Sequence, residues 1–172
     1  MNLSFVLFLM LPFGDPPIQI VREGFLLDMS DQAHVALVFE SYKWFEDFKW
    51  STEPAGDKHK VTFTATIDDA KVVADFHSKN RYSLNTGMKS MQLYSYYKLD
   101  KDKQKLRYTI HFMVGPGRAF KVIPGGSLGI QNKAGEWREV LLEDNKALVS
   151  IIEGIYRNYN PYKSLVLGLP FK

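Results

Sequence analysis

The clearest pattern in the chain is a strict alternation of apolar and polar residues over positions 61–67. Apolar residues alternate there with three threonines, which is typical of a strand that is buried on one face. The alternation resumes over positions 70–76, after Asp68-Asp69. Residues that flank a two-residue turn point to the same face of a hairpin. The sequence therefore predicts a hairpin with its tip at Asp68-Asp69.

Further alternating segments predict more strands. Residues 93–99 and 106–114 form a second predicted hairpin, and its tip is rich in lysine and aspartate. Shorter strands are predicted over residues 120–123, 128–131 and 136–142, separated by glycine-containing turns. Apolar and β-branched residues over 18–27 predict one more strand near the start of the chain.

Two segments repeat their apolar residues every three or four positions, which is typical of an amphipathic helix. The first runs from about residue 30 to 48, and the second from Asn145 to Tyr159. The chain thus places helices at either end of a run of strands. That order predicts an α+β fold with a curved antiparallel sheet of about six to eight strands, one helix in the N-terminal half and one C-terminal helix.

The order of elements resembles the helix-grip arrangement of START-type lipid-binding domains. In that family a curved antiparallel sheet wraps a C-terminal helix and encloses an apolar cavity. The resemblance concerns element order alone, since no sequence motif accompanies it, and it implies little about activity.

Residues 1–14 form an apolar leader that stands apart from the single predicted domain, residues 15–172. The apolar run has the length of a signal-peptide core and is too short to span a bilayer, so no transmembrane helix is expected. Its length favours export to the cell envelope, and Asp15-Pro16-Pro17 separates it from the first predicted strand. The lack of a basic residue before it and the poor cleavage site around Gly14 count against export. On balance the segment favours export to the cell envelope slightly over a cytoplasmic location.

Composition excludes several classes of function. The 172 residues contain no cysteine, so disulfides, thiol catalysis and cysteine-ligated metals are excluded. The four histidines form no short ligand pair, and we expect no metal and no cofactor. The net charge of +3 is small and its lysines are interspersed with aspartates, so nucleic acid is an unlikely partner. The unusual feature is an aromatic content of 14%, which suits a sheet-rich core or the wall of an apolar pocket.

One motif has the form of a catalytic site but the wrong context. Residues 125–129 read Gly-Gly-Ser-Leu-Gly, which fits the nucleophile elbow of α/β-hydrolases. That elbow lies between a strand and a helix, with the catalytic histidine later in the chain. Here a second strand follows, and the last histidine, His111, precedes Ser127. A glycine-rich bend between strands is the better interpretation.

A possible acid–base cluster involves polar positions on the predicted strands. Asp75 and His77 share one face of the predicted hairpin, and Arg107 and His111 share the polar face of another strand. If those strands were adjacent, the four side chains would lie close enough for general acid–base chemistry. Solvent-facing strand residues explain the same pattern, so an enzyme is the third-ranked hypothesis.

The first hypothesis is a non-catalytic protein that holds an apolar or lipid-like small molecule between its sheet and its helices. Large apolar residues on the predicted buried faces are the candidate walls. These residues are Phe63, Phe76, Tyr97, Tyr108, Phe112, Trp137 and Ile151.

The second hypothesis is an interaction or assembly module of the cell envelope that binds a protein partner. The binding surface would be either the face of Tyr94 and Tyr96, which are predicted to point away from the core, or the first predicted helix with Trp44 and with Trp50 just after its end. An exposed aromatic patch of this kind is typical of binding surfaces.

Overall fold

The computed structural model describes residues 16–26, 33–68, 70–72, 74–75, 105–132, 134–142 and 145–161. The named helices are α1 (Pro17–Glu23), α2 (Val35–Glu40) and α3 (Asn145–Tyr156). The strands are β1 (Phe45–Ala55), β2 (Lys58–Ile67), β3 (Leu106–Val114), β4 (Phe120–Gln131) and β5 (Trp137–Leu141). Residues 70–72 and 74–75 are also helical.

The five strands form one open antiparallel sheet in the order β1-β2-β3-β4-β5, so neighbours in sequence are neighbours in space. Strand β3 lies at the centre, with Tyr108 opposite Ala65 of β2 and Leu128 of β4. Both edges of β3 are therefore paired by β2 and β4. The predicted strand over residues 106–114 is confirmed, and residues 93–99, its predicted partner, lie outside the described residues.

The three helices lie on one face of the sheet, which we call the inner face. Helix α1 contacts β1, β2 and β3, while α3 contacts β4 and α2. The inner-face residues of β2 and β3 are almost fully buried, whereas the residues between them are only half-buried. This alternation is the period of two that the sequence shows, because one face is covered by helices and the other, the outer face, carries polar side chains.

The hairpin predicted at Asp68-Asp69 is wrong, because Asp68 begins a helix instead of a turn. Its Oδ1 accepts a hydrogen bond from the backbone N–H of Lys71 at 3.1 Å, and its carbonyl accepts one from Val72 N–H at 3.1 Å. A side-chain oxygen at this position satisfies a free N–H of the first helical turn. The hairpin partner of β2 is β1, and their tip lies at Gly56, whose φ of +67° is in the left-handed region.

The long helix predicted over residues 30–48 is also wrong. Helix α2 ends at Glu40, and β1 starts at Phe45. A register irregularity in β1 lies between Phe45 and Asp47, so Phe45 and Phe48 are three positions apart and both contact Phe63. An extra residue in a strand shifts its alternation by one, and here it imitates the spacing of a helix.

The strand predicted over residues 18–27 is a helix over Pro17–Glu23. Proline at the first helical positions is favourable, because the N–H that it lacks has no partner inside the helix anyway. The two prolines at positions 16 and 17 therefore begin a helix in addition to separating the leader from the domain.

Residues 120–131 form one strand rather than two short ones. Thr109 of β3 pairs with Ser127, but His111 pairs with Ile123, so three residues of β4 lie opposite one residue of β3. Gly126 fits into this bulge without a side chain, since a Cβ there would lie 2.6 Å from the carbonyl oxygen of Thr109.

The α+β class with an antiparallel sheet is confirmed, as is a C-terminal helix. The six to eight predicted strands and the START-like order are not confirmed, because the described residues form five strands. The predicted leader, residues 1–14, lies outside the described residues. None of the helices in the described part of the chain is long and apolar enough to cross a bilayer.

Candidate functional site

The candidate site is the layer between the inner face of the sheet and the helices. Four of the predicted wall residues lie in it, and each is at most 2% exposed: Phe63, Tyr108, Phe112 and Ile151. Trp137 is placed on the outer face of the sheet, and Phe76 and Tyr97 lie outside the described residues.

Aromatic rings dominate this layer near β1, β2 and β3. Phe39 of α2 contacts the ring of Phe63 with a centroid distance of 5.1 Å and that of Phe112 at 6.1 Å. Trp50 lies 4.7 Å from Phe63 by the same measure. The rings meet at tilted or edge-to-face angles, which is the arrangement that aromatic pairs prefer. Helix α2 is thereby fixed to the centre of the sheet.

Tyr108 stands at the middle of this layer and brings a polar group into it. The residue is 1% exposed, and its hydroxyl finds no hydrogen-bond partner among the described residues. Burial raises the pKa of Tyr108, so the phenol keeps its proton and stays a donor at neutral pH. The ring of Phe45 lies 6.3 Å from that of Tyr108, edge-to-face.

A second tyrosine, Tyr42, is also buried, but its hydroxyl has a hydrogen-bond partner. Tyr42 is 4% exposed, and its hydroxyl donates to the carbonyl oxygen of Tyr159 at 2.6 Å. Burial raises its pKa too, with a further contribution from Tyr108. The two tyrosines thus share one region of the core, but only Tyr42 has a partner for its proton.

The predicted interaction surface on the first helix does not exist as a helix face, since β1 begins at Phe45. Trp44 is 2% exposed, and its indole N–H finds no acceptor in the described ranges. Trp50 is half-buried, and its indole N–H donates to Glu40 Oε1 at 2.9 Å. Glu40 also accepts two hydrogen bonds from Arg22, at 2.8 and 3.0 Å. Tyr94 and Tyr96 lie outside the described residues.

The outer face carries a polar cluster that the sequence analysis did not find as a cluster. Glu139 of β5 accepts hydrogen bonds from Arg107 of β3 and from Ser127 of β4, the latter at 2.6 Å. The guanidinium of Arg107 also lies 4.1 Å above the ring of Trp137. A Cβ on Gly129 would lie 2.9 Å from Glu139 Oε1, so the glycine leaves room for the cluster.

This cluster explains the Gly-Gly-Ser-Leu-Gly motif without catalysis. Gly125 has a φ of +96° at the bulge, Gly126 avoids the carbonyl of Thr109, and Gly129 lies beneath the cluster. Ser127 donates its proton to a carboxylate that is already paired with Arg107. Burial alone would raise the pKa of Glu139, but the hydrogen bonds from Ser127 and Arg107 outweigh burial and lower it. A carboxylate stabilised in this way is a poor general base.

The described members of the predicted acid–base cluster lie apart. His111 is hydrogen-bonded to Thr62, with 3.0 Å between Nδ1 and Oγ1, on the outer face. Arg107 is four residues away on the same strand and holds Glu139. Asp75 accepts a hydrogen bond from Asn160 at 3.1 Å, just beyond α3. His77 lies outside the described residues. Over the described ranges, no group of three or more metal-ligating side chains comes together.

Comparison with protein-family models, with curated proteins and with solved structures gives no significant match.

Proposed function

We propose that this protein is a non-catalytic binding protein that holds an apolar, lipid-like molecule between its sheet and its helices. The observation that carries the proposal is the presence of buried donors without partners in this apolar layer. Among the described residues these are Tyr108 Oη, Trp44 Nε1 and Tyr156 Oη. Buried polar groups in folded proteins are hydrogen-bonded with few exceptions, and each exception calls for an explanation. A bound molecule that carries hydrogen-bond acceptors would explain why these donors have no partner in the protein.

The position of the layer agrees with the proposal. The layer between the sheet and the C-terminal helix is lined by Phe63 and Phe112 from the sheet and by Ile151 from α3, which belong to one core cluster. Pockets for small apolar molecules are lined in this way, with few polar groups among them.

A larger side chain on the inner face of the sheet tests the proposal, because it reduces the space between the sheet and the helices. Ala65 is 1% exposed on the inner face, and Thr64 is its neighbour on the outer face of the same strand. We expect the wild-type protein to bind an uncharged apolar fluorophore such as Nile red, and Ala65→Leu to weaken that binding by about tenfold or more, because the added side chain occupies ligand space. The matched variant Thr64→Leu should leave the affinity for Nile red unchanged.

A solid core would give the opposite result. The wild-type protein would then neither bind Nile red nor release a small molecule on denaturation in mass spectrometry. Ala65→Leu would only destabilise the fold, by about 1–3 kcal/mol from overpacking. Urea denaturation of both variants separates loss of binding from loss of folding.

A second candidate function is an interaction module that binds a protein partner through its sheet edges. It is favoured by exposed apolar side chains on the outermost described strands, since Phe48 of β1 is 41% exposed and Leu141 of β5 is 60% exposed. If this function holds, light scattering detects a dimer or a partner complex that is lost in Phe48→Ser or Leu141→Ser. A monomer that stays unchanged in both variants contradicts it.

A further inference from the structure

We propose that the bound molecule carries an uncharged oxygen, in a hydroxyl, ester or carbonyl group, which accepts a hydrogen bond from the hydroxyl of Tyr108. This inference rests on the proposed function and names the chemical class of the ligand. The inference is based on the residues that surround Tyr108 in the fold.

Tyr108 has small or aliphatic partners on both neighbouring strands. It lies opposite Ala65 on one side and Leu128 on the other, and neither has a side chain that accepts a hydrogen bond. Tyr42, a phenol of the same core, already gives its proton to the carbonyl of Tyr159. The proton of Tyr108 is therefore available to a molecule that enters the layer.

The layer favours an uncharged partner. In the described part of the chain, the single buried residue of polar or charged type is Ser127, which is on the outer face and bonded to Glu139. A carboxylate placed beside Tyr108 would have no buried cation to pair with, and burial of an unpaired charge is costly. A neutral oxygen pays a much smaller desolvation penalty and gains the hydrogen bond.

The apolar part of the ligand would lie along the rings beside Tyr108. The ring of Phe45 and the strand neighbours Ala65 and Leu128 offer apolar contacts there. The ligand is thus an amphiphile with its oxygen at the centre of the sheet and its hydrocarbon part along the aromatic rings, and not a surfactant-like anion with its head group in water.

Competition against bound Nile red with three probes of equal chain length tests this inference. These probes are decane, 1-decanol and decanoate, measured at pH 7.5. For the wild-type protein we expect 1-decanol to bind about tenfold tighter than decane, which corresponds to one hydrogen bond made in an apolar site. Decanoate should bind more weakly than 1-decanol. In Tyr108→Phe, 1-decanol should lose this advantage and bind no more tightly than decane, because its hydroxyl would then be buried without a partner.

Tyr42→Phe is the matched control, because it removes a hydroxyl from the same core that already has a protein partner. We expect it to lower the urea midpoint and to leave the ratio of 1-decanol to decane affinity at its wild-type value. Tyr108→Phe should instead keep or raise the midpoint of the ligand-free protein, since it removes a buried hydroxyl without a partner.

The outcomes separate this inference from the function on which it rests. If Nile red and all three probes fail to bind, the proposed function and the inference are both wrong. If decane and 1-decanol bind equally, or if Tyr108→Phe keeps their difference, a buried water satisfies the phenol and only the inference fails. If decanoate binds as tightly as 1-decanol, the ligand is not restricted to uncharged oxygens.

Discussion

The two faces of β3 are stabilised in different ways although they belong to the same nine-residue strand. On the inner face, Tyr108, Ile110 and Phe112 are at most 1% exposed, and they contact other apolar groups. On the outer face, Arg107 and His111 are half-buried, and each is fixed by a polar partner on another strand.

The two faces differ in whether their polar groups have hydrogen-bond partners. On the outer face, Arg107, Ser127 and His111 each have a polar partner on another strand. The inner face gains its stability from the burial of apolar surface. The free energy of this burial is roughly proportional to the buried apolar area and, unlike that of a hydrogen bond, does not depend on direction. A phenol left without a partner on that second face is therefore unusual, and it is the feature that the proposed ligand explains.

Truncation of the inner face should have the largest effect. Phe112 is fully buried and contacts the rings of Phe39, Trp50 and Phe120. We expect Phe112→Ala to lower the free energy of unfolding by about 3–5 kcal/mol, as for other buried phenylalanines. The measurement is urea denaturation followed by circular dichroism.

Thr109→Ala on the outer face of the same strand is the control for Phe112→Ala. Its expected cost is under about 1 kcal/mol, since Thr109 is half-buried and only strand preference and minor contacts are lost. Equal costs for the two variants would show that the helices do not cover the inner face as described.

Addition of a methyl group at the bulge should have the next largest effect. A Cβ on Gly126 would lie 2.6 Å from the backbone oxygen of Thr109, and backbone atoms in a paired strand have little room to move. We expect Gly126→Ala to cost about 1–3 kcal/mol. Gly117→Ala is the matched control, because its Cβ would have no neighbour within 4 Å. Similar denaturation midpoints for the two variants would contradict the geometry of the bulge.

Removal of the outer-face carboxylate should have a smaller effect. In Glu139→Gln the ion pair with Arg107 is lost and the bond from Ser127 is weakened, which we expect to cost about 1 kcal/mol at pH 7, because the pair is partly exposed to water. The pKa of Glu139 is lowered from its ordinary 4.5 in the folded protein. Its contribution is thus present above pH 4.5 and is lost as the pH falls through the folded-state value.

The pH dependence of the stability tests whether Glu139 is held as a carboxylate by its neighbours. We expect the stability difference between wild type and Glu139→Gln to shrink as acid is added below pH 4.5, the ordinary value for this carboxyl. The control is Glu53→Gln, which removes a fully exposed partner of Lys60 and should change the unfolding free energy less. A constant difference across the acid range would mean that Glu139 is not held as a carboxylate by its neighbours.

The sequence predicts the centre of the sheet better than its margins. Residues 61–67 and 106–114 alternate without interruption, and both are strands. The first helix and β1 were misread because the bulge after Phe45 gives Phe45 and Phe48 the spacing of a helix. The helix that follows β2 was misread because Asp68 caps a helix as readily as it forms a turn, and the choice depends on contacts that are distant in sequence.

The site is predictable to a similar degree. Alternation alone assigns Phe63, Tyr108 and Phe112 to the buried face. The polar cluster on the outer face was missed, because Arg107, Ser127 and Glu139 come from three strands and their register decides whether they meet. Glycines at positions 125, 126 and 129 were a signal of close packing there. The lack of a partner for the Tyr108 hydroxyl depends on every neighbouring side chain, and no sequence pattern encodes it.

The smallest expected effect concerns His111, the most buried titrating group of the outer face. Burial and the positive charge of Lys60 lower the pKa of His111 from its ordinary 6.5, while Glu53 and the backbone of Gly125 oppose them. The unfolded chain therefore binds a proton at a higher pH than the folded protein does. The stability due to neutral His111 is complete above pH 6.5 and falls as the pH drops towards the folded-state pKa, below which it is constant.

His111→Gln keeps a polar side chain beside Thr62 and removes this titration. We expect the urea midpoint of the wild-type protein to fall between pH 7.5 and 5.5 by more than that of the variant. The effect is small because the ring is only half-buried, so both proteins are measured in the same buffers and salt. If the midpoint of the wild-type protein falls less than that of the variant, the folded state favours protonated His111. The polar partners of the outer face would then outweigh burial, and the contrast with the inner face would be larger than described.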